Sequence, residues 1–161
     1  MAAHSRVGGW LRLLAAVAVV IGLDQLTKQV AISAVERGDS VNVFLGLDIV
    51  NTRNTGVAFG ALQGSDTIIP LLIGCALFAL VAYFTVNAGR PWLWLPAGLL
   101  LGGALGNLID RIREGAVIDF VDPIAWPAFN LADSCIVVGV LILLYVVEVR
   151  PGEPEPEPKP E

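Results

Sequence analysis

Residues 91–109 read Pro-Trp-Leu-Trp-Leu-Pro-Ala-Gly-Leu-Leu-Leu-Gly-Gly-Ala-Leu-Gly-Asn-Leu-Ile, and Asp110 and Arg111 follow directly. The run carries no charge until its end. It comes close to the ~20 apolar residues that a helix needs to cross a bilayer core of ~30 Å. Gly98, Gly102 and Gly106 recur every fourth residue, so one stripe of the helix lacks side chains and lets another helix approach closely. For Gly98 and Gly102 packing is a sufficient role. The stripe continues to Asp110, and the adjacent line runs Gly103, Asn107, Arg111. A close-packed helix therefore ends in three polar side chains at one membrane boundary.

Three further segments, 10–32, 67–86 and 131–149, meet or approach the same length. Hydrophobic residues make up 55% of the 161-residue chain and charged residues 16%, and mean hydropathy is +0.72. A soluble domain is about a quarter charged, so this chain lacks the polar surface to coat itself. The expected fold class is an all-α membrane protein: four transmembrane helices with a small β-sheet between helices 1 and 2. Pro70, Pro91 and Pro96 fall in opening turns, where a missing N–H costs little. Arg6 and Arg12 before the first apolar run imitate a signal peptide, but the run ends in Asp24-Gln25-Leu26-Thr27-Lys28 with no small-x-small cleavage site. It reads as retained. Leu72-Ile73-Gly74-Cys75 has the form of a lipoprotein cleavage box, but its place in the middle of the second span makes it a coincidence.

Residues 1–150 are expected to form one membrane-embedded domain, with residues 151–161 an extended, solvated tail of Pro and Glu. Most of the net charge of −5 belongs to that tail, which holds four Glu and one Lys. No basic patch suited to nucleic acid exists elsewhere. An even number of spans puts both termini on one side. The positive-inside rule does not say which side: Arg6, Arg12, Arg90, Arg150 and Lys159 stand against Lys28, Arg37, Arg53, Arg111 and Arg113. Two connections, 33–66 and 110–130, are long enough to be structured and lie on the same side. Apolar residues occupy each odd position from Val41 to Ile49, the period-two pattern of strands with one face covered.

Polar residues at the rim of a small bundle tend to mark a site. Five clusters fall there: 24–28, 51–56, 106–111, 117–122 and 130–134. His4 is the one histidine, which argues against Ser–His–Asp or Cys–His catalysis. Cys75 and Cys135 sit singly in apolar runs as small hydrophobes, so a zinc site is not expected. Residue type alone leaves a carboxylate-only Mg²⁺ site open. Two carboxyls can hydrolyse a peptide without a metal if one keeps a proton and the other activates a shared water. Asp119 and Asp133, each flanked by apolar residues, are the pair best placed by context. A helix N-cap role for Asp133 remains an alternative, as does a plain i, i+4 ion pair for Asp24 and Lys28.

The motifs taken together carry a resemblance. Asp24-Gln25-Leu26-Thr27-Lys28, Asn54-Thr55-Gly56-Val57-Ala58-Phe59-Gly60, residues 102–111, Val117-Ile118-Asp119-Phe120 and Phe129-Asn130-Leu131-Ala132-Asp133-Ser134 resemble the lipoprotein signal peptidase family, also called signal peptidase II. The likeness runs from about residue 10 to 148. Val57, where Ala is usual, and the acidic tail are its departures. The resemblance implies a bacterial inner-membrane aspartyl endopeptidase with no cofactor or metal. It would act as a monomer on prolipoproteins that carry a diacylglyceryl group on cysteine, cutting just before that residue. It implies Asp119 and Asp133 as the catalytic pair, with Asp24, Asn54, Gly56, Asn107, Arg111 and Asn130 binding substrate. It also implies cytoplasmic termini, a site at the outer leaflet, and an extracytoplasmic sheet formed around Val41–Ile49. A proton- or ion-coupled transporter is the competing class, but the span centres around Ala16, Ala79 and Val138 carry no ionisable residue.

Overall fold

The structure, a computed structural model, describes residues 2–55 and 68–148. Four helices and three strands follow in the order α1 (Ala2–Ala34), β1 (Ser40–Phe44), β2 (Leu47–Asn54), α2 (Ile68–Asn87), α3 (Trp94–Glu114), β3 (Val117–Pro123) and α4 (Leu131–Glu148). Residues 61–67, which hold the expected start of the second span at Thr67, the glycine-bearing motif from Gly56 to Gly60, and the tail lie outside the described residues.

The glycine stripe of α3 lies against α1 in register. A β-carbon on Gly98 would stand 2.5 Å from Ala16 Cβ, one on Gly102 2.7 Å from Val20 Cβ, and one on Gly106 2.6 Å from Asp24 Oδ2. Both numbers rise together, so α1 and α3 run parallel. On another face of α3, Gly103 abuts the Ala132 carbonyl and Leu100 abuts Gly139, so α4 runs antiparallel. At the end that holds the chain's N-terminus, Trp10 of α1 meets Phe84 of α2 edge to face, with centroids 4.9 Å apart. Phe84 joins Leu13, Ala88, Leu93, Ala97 and Leu101 in one buried cluster. The bundle thus alternates in direction, with the start of α1 and the end of α4 at one end.

Two of the helices are longer than apolarity alone implied. α1 extends the expected 10–32 at both ends, and α3 runs five residues past Ile109. No breaker follows Ile109. The helix stops at Gly115, whose φ of 72° is left-handed, with its N–H on the Arg111 carbonyl and with Arg111 and Arg113 in the last turn. The first five residues of the expected 110–130 connection are therefore helical. α3 also starts later than residue 91, because Trp92 takes a positive φ of 63° in the turn before it.

The surface is inverted relative to a soluble protein. Leu11, Leu14, Val19, Leu23, Leu26 and Val30 of α1 are exposed, as are Leu141, Leu144 and Tyr145 of α4. Asp24, Lys28, Asn107, Asp110, Asp119 and Asn130 are buried. Exposed apolar flanks around a polar interior are what a lipid solvent selects. Among the described residues two helices, Arg6–Ala34 and Leu131–Glu148, are long and apolar enough to cross a membrane; α2 contributes a shorter apolar stretch, Leu71–Asn87.

The sheet is antiparallel with order β1-β2-β3. Its third strand comes from the connection between α3 and α4, so the sheet is not confined to the segment between helices 1 and 2. β1 differs from expectation as well: all five of its residues are exposed. It is an edge strand that pairs only with β2, and the face carrying Val41 and Val43 is uncovered among the described residues. A bulge between Ile49 and Thr52 re-aims β2 and brings Thr52 opposite Asp119. Phe129 then pairs with Val121 through backbone bonds of 2.9 Å in both directions, which lays the residue before the Asn130 cap alongside β3.

Candidate active site

The first turn of α4 organises the rim. A helix start leaves its first N–H groups without intrahelical partners. Asn130 is the N-cap: its Oδ1 accepts the Asp133 N–H at 2.9 Å, and Asp133 Oδ2 accepts the Asn130 N–H at 3.3 Å. This is the reciprocal arrangement of a capping box. The cap position belongs to Asn130, and Asp133 stands at the third helical residue. The Ala132 N–H is taken by Asp24 Oδ1 of α1 at 3.0 Å.

Asp119 reaches the same place from β3. Its strand partner Thr52 donates a hydroxyl to the Asp119 carbonyl at 3.2 Å. Asn54, two residues along the same face of β2, donates Nδ2 to Asp119 Oδ2 at 3.0 Å. Asn130 donates Nδ2 to Asp119 Oδ1 at 2.8 Å. One fully buried residue therefore bonds both Asp119 and Asp133.

A third layer lies beneath. Lys28, 2% exposed, donates to Asp24 Oδ2 at 2.8 Å, Asp110 Oδ2 at 2.6 Å and Asn107 Oδ1 at 3.0 Å. Asn107 passes its Nδ2 to Asp133 Oδ1 at 2.8 Å. Asp110 also accepts from Gln25 Nε2 at 2.9 Å and from the Ile118 N–H at 3.2 Å, so α3 is tied to the start of β3. Burying a lysine with two carboxylates is costly unless the remaining bonding capacity is met, and these contacts meet it. A cleft of about 380 Å³ opens beside the network. Asn54, Asn107, Arg111 and Asp133 form its polar wall, and Ile73, Val117, Phe129, Ile136 and Val137 lie among its apolar residues.

Residues 16–148 match the family described as signal peptidase (SPase) II. The chain belongs to the signal peptidase II family. It is 38% identical over 132 residues to a lipoprotein signal peptidase of Halothermothrix orenii, covering 81% of this chain and 91% of the relative. It is 41% identical over 139 residues to that of Moorella thermoacetica, covering 84% and 91%. With that of Azoarcus sp. (strain BH72) it shares 39% identity over 165 residues, covering 94% and 89%. Among solved structures it resembles a bacterial membrane enzyme determined by the in meso method at 2.3 Å resolution, with TM-score 0.79 and 34% identity over 91% of this chain and 94% of that one. The signal peptidase II scaffold is thus an enzyme fold of a membrane-bound peptidase.

Electrostatics in this peptidase follow the burial. Burial pushes the Asp119 carboxyl, which lies on the sheet outside the helices, up to about 6. The amide of Asn54 opposes the rise, the charge of Asp133 adds to it, and the amide of Asn130 and the charge of Lys28 oppose it. Arg111, half-buried, donates Nη1 to the Asn107 carbonyl at 3.4 Å and interacts with the charges of Asp133, Asp119 and Asp110. Among the described residues no three His, Cys, Asp or Glu side chains converge as a metal site.

The structure gathers Asp24, Asn54, Asn107, Arg111, Asp119, Asn130 and Asp133 at one end of the bundle; Gly56 lies outside the described residues. Asp24 is 0% exposed with both oxygens engaged, so it supports the helix start from below. Lys28, Asp110 and Gln25 belong to the same network. The i, i+4 spacing of Asp24 and Lys28 shows their pairing in the sequence, but not that α3 supplies two more acceptors.

Proposed function

We propose that this chain is an aspartyl endopeptidase that removes signal peptides from prolipoproteins, cutting just before a cysteine that carries a diacylglyceryl group. The relatives' name, lipoprotein signal peptidase, supports the substrate. The observation that carries the mechanism is Asn130, which holds both carboxyl residues from one fixed point. Asp119 and Asp133 share one proton. The ionised partner takes a proton from water as the water oxygen bonds to the scissile carbonyl carbon, and the protonated partner gives its proton to the carbonyl oxygen. One carboxyl then gives its proton to the peptide nitrogen, the C–N bond breaks, and a hydroxyl on the former carbonyl carbon returns its proton to the pair, giving a carboxyl end on the signal peptide and a free amine on the lipidated cysteine. Asn54, Gly56, Asn107 and Arg111 orient the substrate backbone and the pair, where small displacements cost rate steeply. A cleft with one polar and one apolar wall suits a substrate that is part peptide and part lipid.

In this reading residues 1–150 are the peptidase domain, and all four helices span a bacterial inner membrane. The alternating helix directions support it, since they put both ends of the bundle's chain on one side. That side is cytoplasmic, and the sheet and site face the outer leaflet. In this reading the enzyme works as a monomer. The test is a gel-shift cleavage assay on a synthetic diacylated prolipoprotein peptide with chelator present. Wild type is expected to cut before the lipidated cysteine, while folded Asp119→Asn and Asp133→Asn remain inert. Near-normal cleavage by either variant, or loss of wild-type cleavage in chelator, would overturn the proposal.

A further inference from the structure

Lys28 is a buried cation at the rim to which the proposed reaction gives no role. An ammonium has three protons and no lone pair to accept with, so its contacts to Asp24, Asp110 and Asn107 are all donations. The third fixes an orientation. The Asn107 oxygen has to face Lys28, which turns the Asn107 NH₂ toward Asp133 Oδ1 at 2.8 Å. The Asn130 amide is fixed differently, by the Asp133 peptide N–H on its oxygen, and its NH₂ faces Asp119 Oδ1.

The two carboxyls consequently receive unlike partners. Asp133 takes an amide polarised by a buried cation and the Asn130 peptide N–H. It also stands in the first turn of α4, where the helix dipole favours negative charge. Asp119 lies within a strand and takes two side-chain amides, from Asn54 and Asn130, with no helix terminus of its own.

We infer that Lys28 is a positioning residue of the reaction: through the Asn107 amide it keeps the pair's negative charge on Asp133 and leaves the single proton on Asp119. This rests on the aspartyl reading above and assigns the roles within it. The other charges facing the pair are Asp24 on α1 and Asp110 and Arg111 on α3.

The test is the double variant Lys28→Gln/Asp110→Asn, which removes one cation and one carboxylate together and leaves the cluster's net charge unchanged. Thermal unfolding in detergent checks that it folds. Cleavage of the diacylated peptide is expected to lose about ten- to a hundredfold in kcat, with KM changed less than about twofold, because the amide that orients Asp133 is free to turn. Both limbs of the kcat/KM pH profile are expected to move up by about one unit: Lys28 is joined to Asp133 through one amide, whereas Asp110 bonds Lys28, Gln25 and the Ile118 N–H, so loss of the cation outweighs loss of the carboxylate and makes each proton harder to remove. A purely structural lysine would leave the profile in place. An unmoved profile, or a loss carried by KM alone, overturns the inference. Should the double variant not fold, Asn107→Asp decides: it keeps the acceptor for Lys28 and sets a charged carboxylate oxygen where the donor to Asp133 stood. The same kcat loss and upward shift are expected, and an unshifted profile overturns the inference. Failure of the aspartyl reading shows separately, as absent wild-type cleavage or active Asp119→Asn or Asp133→Asn.

Discussion

Asn130→Ala tests the centre of the site, because the residue is fully buried and its amide bonds both the helix start at Asp133 and the Asp119 carboxyl. Truncation removes the acceptor of the Asp133 N–H, 2.9 Å away, and loss of an N-cap costs about 1 kcal/mol. It also removes the donor to Asp119 Oδ1 at 2.8 Å and the bonds to Asn107 Oδ1 and the Ile118 carbonyl. Each buried polar group left without a partner costs about 1–3 kcal/mol. Asp119 Oδ1 and the Asp133 N–H are the two most exposed to this, so the expected destabilisation is about 3–5 kcal/mol. For a domain of this size that is a fall in Tm of about 10 °C, read by thermal unfolding in detergent micelles. Cleavage of the diacylated peptide is expected to fall by about a hundredfold or more, since both carboxyls lose their common anchor. Ser134→Ala is the comparison, because it removes only one hydroxyl donation to the Asn130 carbonyl at 3.2 Å. A Tm for Asn130→Ala within about 2 °C of wild type, or a kcat within about threefold, would refute the reasoning.

Asn130→Asp is expected to keep the cap, because a carboxylate oxygen can accept the Asp133 N–H. It places a third carboxyl 2.8 Å from Asp119, so cleavage near pH 7 is lost and partly recovers as the buffer is acidified; equal activity across the range would contradict this. Gly106→Ala would put a β-carbon 2.6 Å from Asp24 Oδ2, whereas Gly22 has nothing within 4 Å. Gly106→Ala is therefore expected to destabilise by about 1–3 kcal/mol and Gly22→Ala to be neutral or stabilising by up to about 1 kcal/mol, with denaturant midpoints as the measure. Asp119, raised to about 6 in the fold, binds more protons folded than unfolded. Its contribution to stability is present in full below about pH 4, the ordinary carboxyl range, and is lost as pH rises through 6. The fall in Tm between pH 4 and 7 should flatten in Asp119→Asn.

The apolar segments and the glycine stripe were legible because they follow from periodicity. Gly98, Gly102 and Gly106 repeat at the helical interval, and each meets α1 one turn further along. The end of α3 was not legible from apolarity, because a span stops where lipid stops and a helix stops where its backbone turns, here at Gly115. β3 escaped notice for a related reason. Val117, Ile118 and Asp119 are all buried, so the strand shows no alternation. The β-branched and aromatic run between Gly115 and Pro123 was its remaining signal. β1 shows the converse: its alternation is real, but an edge strand with an uncovered face displays the same pattern.

The aspartates stood out because carboxyls beside apolar residues need a reason. Their partners did not, because a satisfied network is a property of three dimensions. Asp24 bonds a peptide group 108 positions away, and Lys28 bonds an amide 79 positions away. This interdependence bears on how the site should be probed. The bonds that cap α4 also orient Asp133, and the bond that completes the cap residue also holds Asp119. Truncating any member loosens the helix and the dyad together, and a lost rate then says little about chemistry. Exchanges that keep shape and alter only charge or donor, such as Asn107→Asp and Asn130→Asp, separate the two, because a pH profile responds to the protons of the pair and not to the anchoring of the helix.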